Sequence, residues 1–180
     1  MKIILQWSEP INIKTIEYQR DKQEFLFRGI YIWGFRIENE FMPYYVGIAE
    51  DILYRILEHV SLICGGRYCI HNQHTINEFY KYKNEEKAGE KVLYIPDWPY
   101  GYNKFIENFR SFQPHVLFMI ENLEFSYAIV NEDIDLKEIE TIIIHQIGKE
   151  NLWNLRAGII TKKLRVVNQG AAEIINFLKI

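Results

Sequence analysis

The stretch from Gly29 to His59 decides the fold of this chain: it opens with Gly29-Ile30-Tyr31, continues to Tyr45-Val46-Gly47, and ends in a run that carries Arg55 and His59. Both tyrosine-glycine triplets lie among aromatic and β-branched residues, which favour strands. After them the apolar residues recur at helical spacing, and residues four positions apart leave the same face of a helix. The stretch therefore predicts two strands followed by a helix that presents a cation and an imidazole on one face.

The two strands are predicted at residues 25–35 and 44–48 as a β-hairpin, with a polar turn at Glu38-Asn39-Glu40. The helix is predicted to begin near Glu50 and to stop at Gly65-Gly66. Elsewhere, strands are predicted at residues 2–7, 11–18, 92–95 and 115–120, and a loop is predicted at residues 98–102. Helices are predicted over part of residues 78–91 and over residues 104–112. Two more are predicted, one from Asp133 or Asp135 to Gly148 and one from about Ala171. These elements predict an α/β (α+β) fold over residues 1–180 as one domain, with a small antiparallel sheet flanked by helices.

The composition limits the class of protein. With 48% hydrophobic residues among 180, the chain can bury a sizeable core. The formal net charge of -3 argues mildly against a dedicated nucleic-acid binder, although a local basic patch can lie beside an acidic remainder. The two cysteines do not make a disulfide framework, and no apolar run has the length of a signal peptide or a membrane span. The sequence therefore predicts a soluble, cytoplasmic protein that does not act in a membrane.

The two tyrosine-glycine triplets resemble the paired signature of the GIY-YIG nucleases. Arg55 falls on the following helix where that family keeps an arginine, and His59 follows one turn later, as in several family members. The connection between the two signature triplets, residues 32–44, is slightly longer than is usual in the family. In these relatives the first tyrosine acts as general base, so the resemblance implies that role for Tyr31 and a positioning role for Tyr45.

Two residues far along the chain extend the resemblance. Glu140, followed by an apolar helical run, is similar to the glutamate with which the family binds metal, and Asn154 matches the asparagine that closes the family core. The resemblance covers about residues 25–64 and 115–155, and it leaves residues 65–114 as a large central insertion that could recognise the substrate. Asn154 is expected to tie the catalytic helix to the sheet by hydrogen bonds.

The resemblance implies an endonuclease that hydrolyses DNA phosphodiester bonds with Mg²⁺ or Mn²⁺ held by Glu140, leaving a 5′ phosphate and a 3′ hydroxyl. This chemistry needs stabilisation of the charge that develops on the phosphate and help for the leaving oxygen. Arg55 supplies a bidentate donor to phosphate oxygens that lysine does not match. His59 is expected to relay the proton that Tyr31 takes from the attacking water.

Several alternatives remain open from the sequence. Each site residue also has a structural interpretation: half-buried strand tyrosines, a solvated helix face, or a surface carboxylate. The chain could therefore be a non-catalytic nucleic-acid-binding or interaction module that keeps the fold. As a nuclease, its size and large insertion favour a restriction-like or mobile-element enzyme over a repair subunit, and cutting a duplex would need a homodimer or sequential nicking.

The central segment offers two further predictions. Cys64, Cys69, His71 and His74 lie close together in the sequence and could hold a structural zinc ion, although their spacing differs from the common zinc patterns. Basic residues of the same segment, among them Arg67 and Lys104, alternate with aromatic ones and could track the phosphates of DNA. The competing interpretation of the second pattern is a solvated helix face, because glutamates lie between the lysines.

Overall fold

The computed structural model of the chain describes residues 2–15, 27–72, 74, 76, 92–96, 101–131, 133–149, 152–153, 158–160 and 164–178. Its strands are β1 (Lys2–Trp7), β2 (Ile11–Asn12), β3 (Gly29–Ile37), β4 (Glu40–Ala49), β5 (Ile70–His71), β6 (Val92–Tyr94), β7 (Leu123–Ile129) and β8 (Arg165–Gly170). Its helices are α1 (Ile52–Cys64), α2 (Gly101–Glu107), α3 (Phe109–Asn122), α4 (Leu136–Ile147) and α5 (Ala172–Ile175). The fold is therefore mixed, with helices and antiparallel sheets as expected.

The chain divides into two compact units, and α1 crosses the division. The first unit comprises Met1–Arg55 and Leu123–Ile180, and the second comprises Ile56–Asn122. The predicted insertion, residues 65–114, thus lies wholly within the second unit, which begins nine positions earlier.

An antiparallel sheet in the order β2-β7-β3-β4 forms the centre of the first unit. β3 pairs with β4 on one side and with β7 on the other, and residues 29–35 of this strand are all buried. A strand buried on both faces needs apolar or aromatic residues at every position, which is what the run from Gly29 to Phe35 supplies. The hairpin predicted from the two triplets is confirmed.

The hairpin is longer than predicted, because β3 extends to Ile37 and β4 already begins at Glu40. The strands continue to a two-residue turn in which Glu38 and Asn39 have φ values of 49° and 70°. Asparagine tolerates this left-handed region well, and such a turn matches the twist of the two strands. The pairing register shifts once, between Trp33 and Gly34, so one extra residue is accommodated in β4 as a bulge.

One face of the sheet packs on α4 and the C-terminal segment. Alternate residues of β3 and β4, such as Ile32 and Val46, join Ile139 and Ile143 of α4 in a buried apolar core. The period of two in the strands and of three to four in the helix place these side chains on facing surfaces. Asp135 caps α4 by accepting a bond from Lys137 N at 3.0 Å, and Gly148, with φ of 93°, ends it. The predicted helix and its boundaries are confirmed.

A parallel pair of strands, β1 and β8, completes the first unit. The predicted strand at residues 2–7 is confirmed, whereas β8 was not expected from the sequence. The indole Nε1 of buried Trp7 donates to Asn168 Oδ1 at 3.0 Å, which ties the two strands together by their side chains as well as their backbones. The short α5 follows β8 at once, close to the predicted start at Ala171.

The second unit has an aromatic core to which β6, α2 and α3 contribute. Tyr94 of β6 packs against Phe105 and Phe112 with ring centroids 5.7 Å and 5.3 Å away. α1 ends as predicted at Gly65 and Gly66, and a Cβ on Gly66 would collide with the ring of Phe105. The strand predicted at residues 92–95 is confirmed as β6.

Three sequence predictions need correction. Residues 115–120 are not a strand but the second half of α3, because the buried positions Phe112, Val116 and Met119 recur at helical spacing and Pro114 is accommodated inside the helix. Of the strand predicted at residues 11–18, the described residues 11–15 form the two-residue β2 and then a 3₁₀ turn over Ile13–Thr15. The predicted helix at residues 104–112 is two helices that meet at Asn108.

Some predictions lie outside the described residues: the partial helix at 78–91, most of the loop at 98–102, and the end of the strand at 11–18. Gly101 and Tyr102 of that loop are the first residues of α2. Within the ranges that the structure describes, no helix has the length and apolar character needed to cross a membrane.

Candidate active site

The hairpin β3–β4 places both signature tyrosines on one face of the sheet. Tyr31 lies opposite Gly47, and Trp33 lies opposite Tyr45. Tyr31 and Tyr45 are therefore diagonal neighbours across the two strands, a relation in which aromatic side chains reach each other. The alternate residues Ile32 and Val46 point to the other face, into the core under α4.

Tyr31 lies across the glycine of the partner strand. Its side chain is buried, with 1% of its surface exposed, and a Cβ on Gly47 would collide with its hydroxyl group and ring. The second triplet thus needs a glycine at its end because the tyrosine of the first triplet occupies that space. Tyr31 is fixed in position, and its hydroxyl lies above the backbone of β4.

An aromatic cluster supports Tyr45 from the side of the bulge. The ring centroid of Trp33 lies 6.0 Å from that of Tyr45 and 4.8 Å from that of Tyr44. Trp153 stacks on Tyr44 at 5.9 Å with an interplanar angle of 8°, and its backbone N–H donates to Tyr44 O at 2.7 Å. Bulges commonly redirect side chains next to functional sites, and here the bulge brings two consecutive tyrosines against Trp33.

Arg55 lies in the first turns of α1, whose start is fixed to the sheet. Ile52 N donates to Phe27 O at 3.3 Å, just before β3, and Tyr54 N donates to the side chain of Asp51 at 2.9 Å. An aspartate that accepts such a bond caps the helix. The half-buried Arg55 follows, donating its own backbone N–H to Asp51 O at 3.1 Å.

Glu140 lies on α4 beside the residues that anchor this helix to the core. Ile139 and Ile143 are fully buried, whereas Glu140 is half-buried. Burial raises the pKa of the Glu140 carboxyl, because the charged form loses hydration, and Lys137 one turn earlier lowers it in part. The ionised Glu140 carboxylate therefore lowers the stability of the folded first unit.

Tyr45, Arg55 and Glu140 come together in the first unit. Burial raises the pKa of the Tyr45 phenol, the Glu140 carboxylate raises it further, and the Arg55 guanidinium lowers it. The opposite effects of the two charges show that both side chains lie close enough to act on one phenol. Three residues from separate elements, β4, α1 and α4, thus share one site. A phenol with a raised pKa stays neutral at pH 7 and donates its O–H.

The donor set of this site suits a hard cation that keeps most of its water. Mg²⁺ is typically bound through one or two carboxylates and substrate phosphates, with several waters retained, and Glu140 supplies one carboxylate. In the described ranges no group of three or more His, Cys, Asp or Glu side chains is placed to hold a metal ion by itself. The residues present therefore fit a metal completed by water and phosphate, and not an all-protein cage.

His59 belongs to the second unit and is described there. It is buried, with 1% of its surface exposed, and its Nδ1 lies 2.6 Å from the hydroxyl of the half-buried Tyr68. Tyr68 carries no signal in the sequence, because nothing in the pattern marks a residue that follows the helix stop at Gly65-Gly66. Asn154 lies outside the described residues, next to Trp153.

The four residues considered for zinc have different environments. Cys64 and His74 are exposed, Cys69 is half-buried, and His71 is buried. Burial lowers the pKa of His71 to about 4, so its imidazole is neutral at pH 7. No three of them are grouped to hold a metal in the described part of the chain, and the zinc ion stays a prediction.

Comparison of the chain with protein-family models, with curated proteins and with solved structures gives no match.

Proposed function

We propose that this chain is a divalent-metal-dependent endonuclease that hydrolyses DNA phosphodiester bonds, with a GIY-YIG-like core formed by β3, β4, α1 and α4. The observation that carries the proposal is the joint action of Glu140 and Arg55 on the Tyr45 phenol. A carboxylate that can bind a cation, a guanidinium that can bind phosphate and a neutral phenol that can donate a hydrogen bond are groups that phosphodiester hydrolysis can use. The GIY-YIG resemblance of the sequence supplies the reaction class.

The residues of the first unit divide the work of the reaction. Arg55 donates two hydrogen bonds to the oxygens of the scissile phosphate and stabilises their growing negative charge. Tyr45 donates its phenolic proton in a hydrogen bond to a phosphate oxygen or to the attacking water, because its raised pKa keeps the proton in place. Tyr31, fixed over Gly47, would act as general base in its phenolate form, which a nearby cation favours, and the phenolate would accept one proton from that water to become a neutral phenol.

Glu140 would hold Mg²⁺ or Mn²⁺, and the bound cation would supply charge stabilisation and help for the leaving oxygen. The raised pKa of Glu140 suits this role, because a partly buried carboxylate gains most from a nearby cation. An enzyme of restriction-like or mobile-element type is the class we propose.

The proposal is tested by nicking of supercoiled plasmid with Mg²⁺ or Mn²⁺. We expect the protein to nick DNA with either cation, and Glu140→Gln and Arg55→Ala to abolish nicking. Glu9→Gln and Arg110→Ala serve as matched controls, because both residues are exposed and lie outside β3, β4, α1 and α4, the elements that carry the site residues. Full nicking by both site variants would overturn the proposal, and so would absence of nicking by the folded wild-type protein on duplex, branched and single-stranded DNA. The latter result would favour the non-catalytic binding module.

A second readout does not depend on activity. A ligand that binds only the folded state raises the melting temperature by mass action. We expect Mg²⁺ at millimolar concentration to raise the melting temperature of the wild-type protein and of Glu9→Gln, and not that of Glu140→Gln. An equal rise in the Glu140→Gln variant would place the cation elsewhere.

A further inference from the structure

The parallel strands β1 and β8 of the first unit have one face in the core and one face at the surface. Leu5 and Trp7 of β1 are buried, and the Trp7 indole donates to Asn168 of β8 on the same face. Asn168 Nδ2 in turn donates to Gln146 Oε1 of α4 at 2.9 Å, so the inner face of the pair is turned toward α4. Because successive side chains of a strand point to opposite faces, the alternate residues of both strands form the outer face.

The register of the two strands sets outer residues of the same kind opposite each other. From the first residue onward the pairs are two cations, two aliphatic residues and two amides: Lys2 with Arg165, Ile4 with Val167, and Gln6 with Gln169. We call these six residues the ribbon face. The cations and the amides are exposed, Ile4 is 54% exposed, and Val167 is half-buried. None of the six is acidic, although acidic residues outnumber basic ones in the chain by 24 to 21.

The two cations of the ribbon face repel each other. Lys2 and Arg165 lie directly opposite on strands that are about 4.8 Å apart. Like charges directly opposite each other in a sheet are destabilising. A partner that places negative charge over the pair removes this repulsion, so the arrangement favours an anionic ligand.

The middle of the ribbon face is apolar and at the surface. Parallel strands in proteins almost always have both faces covered by other elements. Here Ile4 remains 54% exposed beside Val167, between the cation pair and the amide pair. The face therefore offers charge, apolar surface and hydrogen-bonding amides in succession along one pair of strands.

The dimensions of this pair of strands suit the major groove of duplex DNA. Each strand has six residues, which extend about 20 Å. The major groove is about 12 Å wide and admits a two-stranded ribbon. Basic side chains bind its phosphates, apolar side chains contact the methyl group of thymine, and glutamine forms a bidentate pair with adenine. The three kinds of pair on the ribbon face correspond to these three kinds of contact.

We propose that the ribbon face docks in the major groove of duplex DNA, with Lys2 and Arg165 on the phosphates and the two glutamines on base edges. The choice of DNA as the anionic partner rests on the proposed nuclease function. The ribbon face gives the first unit a substrate-binding surface outside the signature positions and outside residues 65–114. Its contacts use cations, amides and apolar groups, so binding through this face needs no divalent cation.

The phosphate contacts are tested by fluorescence anisotropy of a labelled DNA duplex in EDTA, a condition without metal-dependent cleavage. The logarithm of the association constant falls with the logarithm of the salt concentration by about 0.9 for each phosphate contact. We expect Lys2→Gln combined with Arg165→Gln to lower this slope by about 2 and to weaken binding about 10- to 100-fold at about 0.1 M salt. A wild-type slope and affinity in this double variant would overturn the proposal.

The matched control removes two exposed cations of the same unit that lie outside β1 and β8. Lys14→Gln combined with Lys149→Gln changes the net charge by the same amount as the ribbon variant. We expect this control to change the slope by less than about 1, because it removes no phosphate contact. Equal losses in the two double variants would show that only the net charge matters, and would overturn the proposal.

Docking in the groove is tested with two further probes. Duplex RNA of the same sequence has a major groove that side chains do not enter, so we expect it to bind about 10-fold more weakly or less. Gln6→Ala combined with Gln169→Ala should keep the salt slope and lose the sequence preference that the wild-type protein shows in selection from a randomised DNA library. Equal affinity for the RNA duplex, or a wild-type protein without sequence preference, would overturn docking in the major groove.

The fate of the ribbon face is separable from that of the proposed nuclease. DNA binding that depends on the ribbon face, in a protein that nicks no DNA, would overturn the proposed function and support the ribbon. In a protein that nicks DNA, we expect the Lys2 and Arg165 double variant to raise KM and to leave kcat unchanged, because it removes binding and not chemistry. Unchanged KM in that variant, or no binding of duplex DNA by the wild-type protein in EDTA, would overturn the ribbon alone.

Discussion

The negative charge of Glu140 lowers the stability of the folded protein. A carboxylate with a purely structural role would avoid this cost. Burial raises its pKa in the folded state. A raised carboxyl pKa contributes stability that is present below the ordinary value of about 4.3 and is lost as pH rises through the folded pKa. At pH 7 the ionised side chain is therefore less favourable in the folded protein than a neutral isostere of the same shape.

This argument predicts that Glu140→Gln is more stable than the wild-type protein at pH 7 without divalent cations. The difference in melting temperature should shrink as the pH falls toward the ordinary carboxyl pKa, because the wild-type side chain is then protonated. Thermal melts of both proteins at several pH values between 4 and 8 measure it, with Glu9→Gln as the control. A difference that grows on acidification would contradict the assigned direction.

We predict that nicking activity requires the guanidinium group of Arg55 and not only its positive charge. Arg55→Lys keeps the cation but loses the planar pair of donors, and a charge-assisted hydrogen bond is worth about 1.5–3 kcal/mol. We therefore expect about a 10- to 100-fold loss of kcat/KM in plasmid nicking, between the wild-type protein and the inactive Arg55→Ala. Equal activity of the lysine variant would show that a simple positive charge is sufficient.

At the scale of single elements, the hairpin β3–β4 depends on the contact between Tyr31 and Gly47. The glycine leaves the space that the tyrosine hydroxyl fills, and the register of the two strands sets them opposite each other. This contact explains physically why a tyrosine-containing triplet is followed by a triplet that ends in glycine.

Gly47→Ala is predicted to displace Tyr31. Overpacking a filled site costs about 1–3 kcal/mol, and here the new methyl group meets a fully buried ring. We expect a lower free energy of unfolding in denaturant titrations and a loss of nicking. Gly65→Ala is the control, since its Cβ would meet the Ser61 and Leu62 carbonyl oxygens at 3.2 Å and 3.9 Å and not a buried ring. A fully active and stable Gly47→Ala would show that Tyr31 can move without consequence.

The elements that sequence could predict are those whose pattern is local. α1 and α4 show apolar residues at helical spacing and clear stop signals, and both were predicted with nearly correct ends. β7 was missed because Glu124 and Ser126 interrupt its apolar pattern, yet both are buried by partners distant in sequence. Glu124 is bound by Arg36, and Ser126 donates to Ser8 O at 2.6 Å, contacts that only the folded chain reveals.

For the candidate site, too, the sequence could predict what depends on a local pattern and not what depends on packing between distant elements. The motif order indicated Tyr45, Arg55 and Glu140, but their mutual proximity depends on how β4, α1 and α4 pack, which no local pattern contains. Tyr68 lay beyond sequence reasoning for the same reason, since its contact with His59 depends on a left-handed turn at Gly66. Conversely, the apolar run at residues 115–120 was wrongly predicted to be a strand, because a buried helix segment and a buried strand have similar sequences over six residues.

At the scale of the whole molecule, the first unit is assembled from both ends of the chain. β1 pairs with β8, and the C-terminal helix α5 packs behind the hairpin. Arg36 of β3 links these parts: it binds Glu124 of β7 at 3.0 Å through Nε and Glu173 of α5 at 2.7 Å through Nη1. It also donates to Asn39 O in the hairpin turn at 3.0 Å.

Arg36→Met is therefore predicted to weaken the first unit as a whole. The methionine keeps much of the side-chain volume but leaves the buried Glu124 without its charged partner, and loss of hydrogen bonds to a charged group costs about 2 kcal/mol. For a chain of this length, that change corresponds to a melting temperature lower by about 4–8 °C. Arg110→Met is the control, because Arg110 is exposed on α3 in the second unit.

Because Glu124 and Glu173 accept from one guanidinium, Glu173→Gln should cost less than Arg36→Met, and the double variant should cost less than the sum of the two single changes. Additive losses would mean that α5 is held by its apolar residues alone.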